Sequence, residues 1–339
     1  MEASAEKKSP AHMRILAIRS DQFEYIQLIL LAAIVGALSA LGNLGFREMI
    51  GFFSWVFRTL EWNALGIGHH SLSLALIPIV LVSGGAAILV LNWIYPGDVL
   101  GYGFPHFLEM VNLGNARIKH NWIIVKSIGA ALSLGSGASV GREGPIAQVG
   151  GAIGSAVAQF RRLSVERAKV LVAAGAGAGI ATTFNAPIGG LMFAQEIVLL
   201  NEIELSNLSL LIIATMSAVV TDRLILGNAA VFTPAPFVMK SYLELLTYCM
   251  MGAAIGAIGA GYIRLFHATA GFFRRLKIPV SAKLGAGLFV VGLIAIALPD
   301  NLSDGYPIIN EALLGQFGFG KMASLAGAKL FTSSVSLGC

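Results

Sequence analysis

Charged side chains are scarce in this sequence, since only 12% of its 339 residues are Asp, Glu, Lys or Arg. An ordinary soluble domain carries about 25% charged residues, so a soluble globular protein is excluded. Cysteine is scarce as well: Cys249 and Cys339 are the only two, too few for a disulfide framework or a cysteine metal site. The net charge of +5 is spread over short polar gaps, which gives no indication of a nucleic-acid partner.

Apolar residues are abundant instead, at 56% of the sequence, and the mean hydropathy is +0.77. Crossing a bilayer takes about 20 mostly apolar residues. Long apolar stretches lie at residues 25–44, 72–93, 205–220, 243–263 and 284–298. The sequence therefore predicts an all-α, multi-pass integral membrane protein that is surrounded by a lipid bilayer.

Basic residues cluster in the polar gaps between these stretches. Three groups stand out: Lys7, Lys8, Arg14 and Arg19; Arg161, Arg162, Arg167 and Lys169; and Arg274, Arg275 and Lys277. Loops rich in Lys and Arg stay on the cytoplasmic side of a membrane, so all three groups are expected there. Residues 1–22 are predicted to form a cytoplasmic segment. The membrane is expected to be a cell membrane, either a plasma membrane or a bacterial inner membrane.

The stretch from Gly135 to Pro145 combines glycines with an adjacent arginine and glutamate deep inside this apolar chain. The apolar run before it predicts a helix, and Pro145 suits the first turn of another. Arg142, Glu143 and Gly144 thus lie where a broken helix restarts. The unpaired N–H groups and the positive dipole end at such a start attract anions. A carboxylate there competes with the anion and can act as a gate.

Other apolar runs, at residues 104–113, 174–183 and 188–200, are short or interrupted by glycine. Helices that stop part-way through a membrane are tolerated where they line a polar cavity or are buried in protein. They favour a transport pathway over a scaffold, which needs only plain spans. The glycine-rich run 175–179 superficially suits a dinucleotide loop, but it lacks the strand and the downstream acid of that motif. Because no ATP site, redox cofactor, metal set or catalytic set is recognisable, an enzyme is not predicted.

The second part of the chain resembles the first. Three segments match in order: residues 51–53 with 271–273, residues 103–105 with 305–307, and Lys126 with Lys329. We predict a duplication, with a first membrane repeat at 23–239 and a second at 240–339. The basic residues near the N-terminus place the start of the first long helix of repeat one on the cytoplasmic side. The basic residues after residue 273 place the end of the matching helix of repeat two on that same side. The two repeats are therefore predicted to be inverted.

The same alignment places Cys339 opposite Ser136. The second repeat then stops before its counterpart of Gly141–Pro145. From this we expect a C-terminally truncated chain with an incomplete second repeat. We also expect residues 1–339 alone to lack a complete pore.

The motif Gly141-Arg142-Glu143-Gly144-Pro145 resembles the gating-glutamate motif of the CLC family of chloride channels and chloride/proton exchangers. Phe184-Asn185-Ala186-Pro187 with Glu196 is similar to the segment that follows in that family. The resemblance covers roughly residues 25–339. It implies an inverted-repeat helical fold with broken helices meeting at an anion site. It also implies a homodimer in which each subunit has its own pore.

The resemblance also implies which residues form the anion pathway. Two sets are implicated: Gly141, Arg142, Glu143 and Gly144, which bind the anion through their backbone N–H groups, and Gly101, Tyr102, Gly103, Phe104 and Pro105, which form the anion-path loop. The Glu143 side chain is implied to be the external gate and, in exchangers, the proton carrier. Chloride is the implied cargo, with protons as a second one in exchangers, and no cofactor is implied.

Three features depart from the pattern of the family. Tyr102 replaces the usual serine whose hydroxyl contacts the central anion, so the choice among chloride, nitrate and fluoride stays open. Ile197 stands where many exchangers have an inner glutamate that receives protons from the cytoplasm, and an isoleucine cannot carry a proton. The later phenylalanine motif and the central-site tyrosine of the family have no counterpart before Cys339.

Several alternatives stay open at the level of the sequence. Ile197 favours a channel or an uncoupled carrier, but family members without the inner glutamate also couple protons, so channel and exchanger both remain. A non-transporting membrane scaffold and an inactive truncated fragment are the alternatives to transport. For Arg142 and Glu143 the structural alternative is an ion pair between neighbours, and for Glu196 it is a helix cap or bridge.

Overall fold

A computed structural model of the chain describes residues 11–67, 71–97, 99–100, 103–200, 205–228, 231–234, 236, 238–239 and 241–339. For residues 11–23, 71–73, 120 and 205–206 it describes only the backbone. Gly101 and Tyr102 of the predicted anion-path loop, and the predicted repeat boundary at residue 240, lie outside the described residues.

The described residues form an all-α fold, which confirms the predicted class. The helices are α1 (Ala11–Trp55), α2 (Trp62–Leu65), α3 (Ile77–Ile94), α4 (Gly103–Asn112), α5 (His120–Ser136), α6 (Glu143–Phe160), α7 (Val165–Phe184), α8 (Pro187–Phe193), α9 (Leu205–Leu226), α10 (Glu244–Arg275), α11 (Val280–Ala297), α12 (Tyr306–Leu313) and α13 (Phe319–Gly338). Shorter turns of π-helix, Val56–Glu61 and Ala194–Val198, and of 3-10 helix, Ser71–Leu76 and Pro299–Asn301, lie between them.

Within the described part of the chain, five helical stretches are long and apolar enough to cross a membrane: Glu24–Leu65, Leu74–Ile94, Asn207–Leu226, Glu244–Arg275 and Val280–Ala297. Each overlaps one of the predicted apolar stretches, which confirms the prediction of a multi-pass protein. Several run further than predicted, because Arg, Glu and Lys have good helix propensity and continue a helix beyond its apolar part.

Two of the predicted partial helices are short in the structure, and the third run belongs to a longer helix. Helix α4 has 10 residues and α8 has 7, both too short to cross a bilayer core of about 30 Å at 1.5 Å per residue. The run 174–183 belongs instead to α7, which begins at Val165. The apolar pattern does not reveal the start of α7, because its first turns are polar: Ser164 caps the helix by accepting a hydrogen bond from the Arg167 N–H. Hydrogen bonds from its own N–H and from Ser164 lower the pKa of the Glu166 carboxyl.

The described chain divides into two compact units, and the first draws on Met1–Asn43, Met110–Ile118 and Val149–Gly227. Within it, α6 and α7 cross closely. A β-carbon added to Gly150 would overlap the carbonyl oxygen of Gly175, and the reverse also holds. Small residues of this kind let membrane helices approach closely.

The second unit draws on Leu44–Glu109, Lys119–Gln148 and Asn228–Cys339. Helices α3 and α11 pack in its apolar core through buried side chains such as Val80 and Val291. This unit contains the whole Gly135–Pro145 stretch. Both units take residues from 23–239, so the compact units and the predicted repeats are different divisions of the chain.

Candidate functional site

A glycine builds the break between α5 and α6. Helix α5 ends at Ser136, and Gly137 follows with a φ of 103°, in the left-handed region that favours glycine. Its N–H donates to the carbonyl oxygen of Leu134 at 3.2 Å. The chain then runs to Glu143, the first residue of α6, which confirms the predicted restart of the helix at this motif. The start of α6 is the positive end of its dipole.

The Glu143 carboxylate is folded back over this helix start. Its Oε1 accepts a hydrogen bond from the Tyr306 hydroxyl at 2.6 Å. A β-carbon added to Gly141 would overlap Oε2. Gly141 thus provides the space that the carboxylate fills, and Tyr306 holds the carboxylate there.

Arg142 is paired with Asp304 rather than with its neighbour Glu143. Its Nε donates to Oδ2 of Asp304 at 2.7 Å, and its NH2 group also contacts that oxygen. The Asp304 side chain is only 7% exposed and that of Arg142 22%, so both charges are largely removed from water. The structure therefore does not support the alternative of an Arg142–Glu143 ion pair. The Glu143 carboxylate bonds the Tyr306 hydroxyl instead.

Tyr306 and Asp304 are two residues of the site that the sequence pattern does not predict. Tyr306 begins α12, and its N–H donates to Oδ1 of Asp304 at 3.3 Å. The Arg142 guanidinium lies 4.3 Å from the centre of the Tyr306 ring. The ring also stacks on Phe232, with centroids 5.3 Å apart and planes inclined by 4°. The only sequence signal was the match of residues 305–307 to 103–105.

The described part of the anion-path loop, Gly103-Phe104-Pro105, forms the first turn of α4. Val99 and Leu100 immediately precede the loop, and their carbonyl oxygens each accept a hydrogen bond from Lys126 Nζ at 3.0 Å. A lysine of α5 therefore fixes the entry to the loop. The matching lysine of the second repeat, Lys329, bonds the carbonyl oxygens of Asn301 and Ser303 in front of α12.

A cavity of about 280 Å³ lies between the loop and the motif. Gly103, Gly141 and Pro145 line it, together with Lys126 and Gln148. Gln148 is 3% exposed, and its Oε1 has no hydrogen-bond partner among the described residues. The structure thus brings two of the predicted site segments to one partly polar cavity.

The inner position, Ile197, lies in the π-helical turn after α8 and is 40% exposed. Its neighbour Glu196 is exposed as well. Both belong to the first compact unit, whereas Glu143 belongs to the second. Asn185 of the Phe-Asn-Ala-Pro segment ends α7 with a φ of 51°, and Arg223 donates to its side chain at 2.9 Å.

Comparison with known proteins agrees with this arrangement. A family model described as voltage gated chloride channel matches residues 79–339, which is more than half of the chain. The chain belongs to this family, the CLC family.

Two CLC relatives carry different functional names. The voltage-gated ClC-type chloride channel ClcB of Citrobacter koseri is 29% identical over 294 residues, which cover 84% of this chain and 69% of that protein. The H(+)/Cl(-) exchange transporter ClcA of Vibrio vulnificus is 28% identical over 329 residues, which cover 92% of this chain and 68% of that protein.

A solved structure has the same fold. The crystal structure of a slow cyanobacterial Cl-/H+ antiporter matches with a TM-score of 0.76 and 24% identity, over 92% of this chain and 74% of that chain. The likeness confirms the predicted inverted-repeat helical CLC architecture.

Proposed function

We propose that this protein transports chloride, or a similar small anion, across a membrane along a CLC pathway in which Glu143 is the gate. The observation that carries the proposal is the Glu143 carboxylate at the start of α6, folded over Gly141 and bonded to Tyr306 at 2.6 Å. The names of the relatives, a chloride channel and a chloride/proton exchange transporter, support chloride as the cargo.

The gate works by competition between two negative charges. Helix starts attract anions through their N–H groups and dipole. We assign anion binding to the backbone N–H groups of Gly141, Arg142, Glu143 and Gly144, with the loop Gly101–Pro105 on the same path. An ionised Glu143 carboxylate takes the place of the anion. A protonated one has no charge to hold it there and leaves the path open.

Channel and exchanger differ in the fate of the proton on Glu143. An exchanger must hand this proton to the other side of the membrane, and Ile197 offers no group that could receive it. The proposal therefore favours a channel or an uncoupled carrier. An exchanger is the second candidate, because the match to an exchange transporter extends over 92% of this chain.

The proposal extends to assembly and location. A homodimer with one pathway in each subunit fits the CLC family, and so does a place in the plasma membrane or bacterial inner membrane. The cargo is an inorganic anion, accompanied by protons if the protein is an exchanger. We assign it no catalysed reaction, no resident cofactor and no nucleic-acid partner.

Chloride flux through proteoliposomes that contain the full-length protein, measured at different external pH, tests the gate. We expect flux to rise as the pH falls, and we expect Glu143→Gln to give high flux at every pH, because the amide mimics the protonated carboxyl. Glu244→Gln, in the first turn of α10, is the matched control and should keep the pH dependence. Flux of Glu143→Gln that still follows pH would overturn the gate assignment.

Proton coupling is measured in the same vesicles. A chloride gradient is imposed, and proton movement is followed with a pH electrode. Chloride movement without protons is the expected result for a channel or an uncoupled carrier. Uphill proton movement that Glu143→Ala abolishes would instead establish an exchanger whose inner proton route bypasses Ile197.

A further inference from the structure

We propose that Tyr306 is a positioning residue that holds the Glu143 carboxylate over Gly141, and that the loop segment 231–233, which the structure describes, controls this contact through Phe232. The inference rests on the proposed gate role of Glu143. It adds a second residue to the gate and a route by which the loop acts on it.

The contact between the two side chains is direct. The Tyr306 hydroxyl donates to Oε1 of Glu143 at 2.6 Å. The two residues are 163 positions apart in the chain. The bond therefore ties the start of α12 to the start of α6.

The Tyr306 ring is fixed from two directions. Phe232 stacks on it with centroids 5.3 Å apart, and the Arg142 guanidinium lies 4.3 Å from its centre. Arg142 is itself fixed by the largely buried carboxylate of Asp304. The hydroxyl is thereby aimed at Glu143 before any anion arrives.

The loop that carries Phe232 is fastened to α12 on both sides of that residue. The Thr233 N–H donates to Oδ1 of Asn310 at 3.0 Å, and Nδ2 of Asn310 donates to the carbonyl oxygen of Val231 at 3.0 Å. Asn310 thus grips the segment 231–233. Because Phe232 stacks on the Tyr306 ring, a shift of this loop segment would move the Tyr306 ring and its hydroxyl.

The direction of the effect follows from the charge of the carboxylate. A hydroxyl that donates to an ionised carboxylate stabilises the ionised form, which is the form that closes the gate. Among the described residues, Arg142 and Asp304 interact with Tyr306, and Arg58 and Lys329 interact with Asp304. The Tyr306→Phe variant leaves all of them in place and removes only the hydroxyl.

The test is chloride flux as a function of external pH for wild type and Tyr306→Phe. We expect half-maximal flux of Tyr306→Phe at a pH higher by about one unit, because loss of a hydrogen bond to a charged group is worth a tenfold or larger change. Tyr248→Phe is the matched control: that hydroxyl bonds a different glutamate, Glu244, at 3.3 Å, and its removal should leave the profile unchanged.

Two further variants separate this inference from the proposed function. In a Glu143→Gln background, Tyr306→Phe should change nothing further. If Glu143→Gln loses the pH dependence while the profile of Tyr306→Phe coincides with that of wild type, the gate stands and the role of Tyr306 is overturned. If Glu143→Gln keeps the pH dependence, the gate itself fails.

The role of the loop segment is tested with Phe232→Ala. This variant should shift the pH profile of chloride flux in the same direction as Tyr306→Phe, and an unshifted profile would remove the loop from the inference.

Discussion

Gly141 determines where the Glu143 carboxylate, the proposed gate, can lie. Because it has no side chain, Oε2 of Glu143 occupies the place that a β-carbon would take. The backbone itself does not require glycine here, since Gly141 is not among the glycines with positive φ. Its role is therefore to provide space, which makes the effect of a single methyl group predictable.

At the residue scale, we expect Gly141→Ala to expel the carboxylate from this place. The variant should conduct chloride at neutral pH and respond weakly to acid, because its gate cannot seat. The control is Gly51→Ala, since a β-carbon at that residue of α1 meets nothing within 4 Å. The measurement is chloride flux as a function of pH. A pH profile of Gly141→Ala like that of wild type would show that the Glu143 carboxylate closes the pathway from another position.

At the scale of helices, the contact between α6 and α7 depends on bare backbone. Gly150 meets the carbonyl group of Gly175, and Gly154 meets that of Leu171. Helix α7 is buried over most of its length, so neither helix can move aside without opening the core. Close packing of small residues supplies the attraction between helices that lipid cannot supply.

We therefore expect Gly150→Ala to destabilise the protein by about 1–3 kcal/mol, the usual cost of overpacking a core. Gly256→Ala in α10 is the matched control, because a β-carbon there meets nothing within 4 Å. The midpoint of thermal unfolding in detergent should fall for Gly150→Ala only. Equal midpoints for the two variants would mean that α6 and α7 leave room for a β-carbon at Gly150.

For the whole molecule, the proposed duplication assigns each loop to a side of the membrane. The matching lysines support the duplication, because Lys126 and Lys329 each bond two backbone carbonyls in front of a matched segment. With inverted repeats, the gap at 161–169 faces the cytoplasm and the loop between α9 and α10 faces outside.

Cysteine labelling tests this topology. In a background in which Cys249 and Cys339 are replaced by alanine, Arg161→Cys should react with an impermeant thiol reagent only from the cytoplasmic side. Val238 is exposed in the loop before α10, and Val238→Cys should react with the reagent only from the outside. Labelling of both positions from one side would contradict the inverted arrangement.

Much of the fold follows from local pattern, whereas the contacts of the site do not. The apolar runs and the restart of the helix at Glu143 were predictable, because both depend on neighbouring residues. The start of α7 was not, since its first turns are polar. The partners of Glu143 and Arg142 were not predictable either, because Tyr306 and Asp304 lie more than 160 positions away in the chain. Local pattern gives no measure of such distances.

The ion pair between Arg142 and Asp304 has a consequence for how long an anion stays in the pathway. A free guanidinium beside the start of α6 would hold an anion with a full opposite charge. Because Asp304 pairs with that charge, the proposed site would hold an anion through the partial charges of backbone dipoles alone. Passage requires a site that is attractive enough to enter and weak enough to leave. In the proposed pathway we therefore expect the pair to shorten the residence time of each anion, so that a buried carboxylate speeds the passage of negative ions.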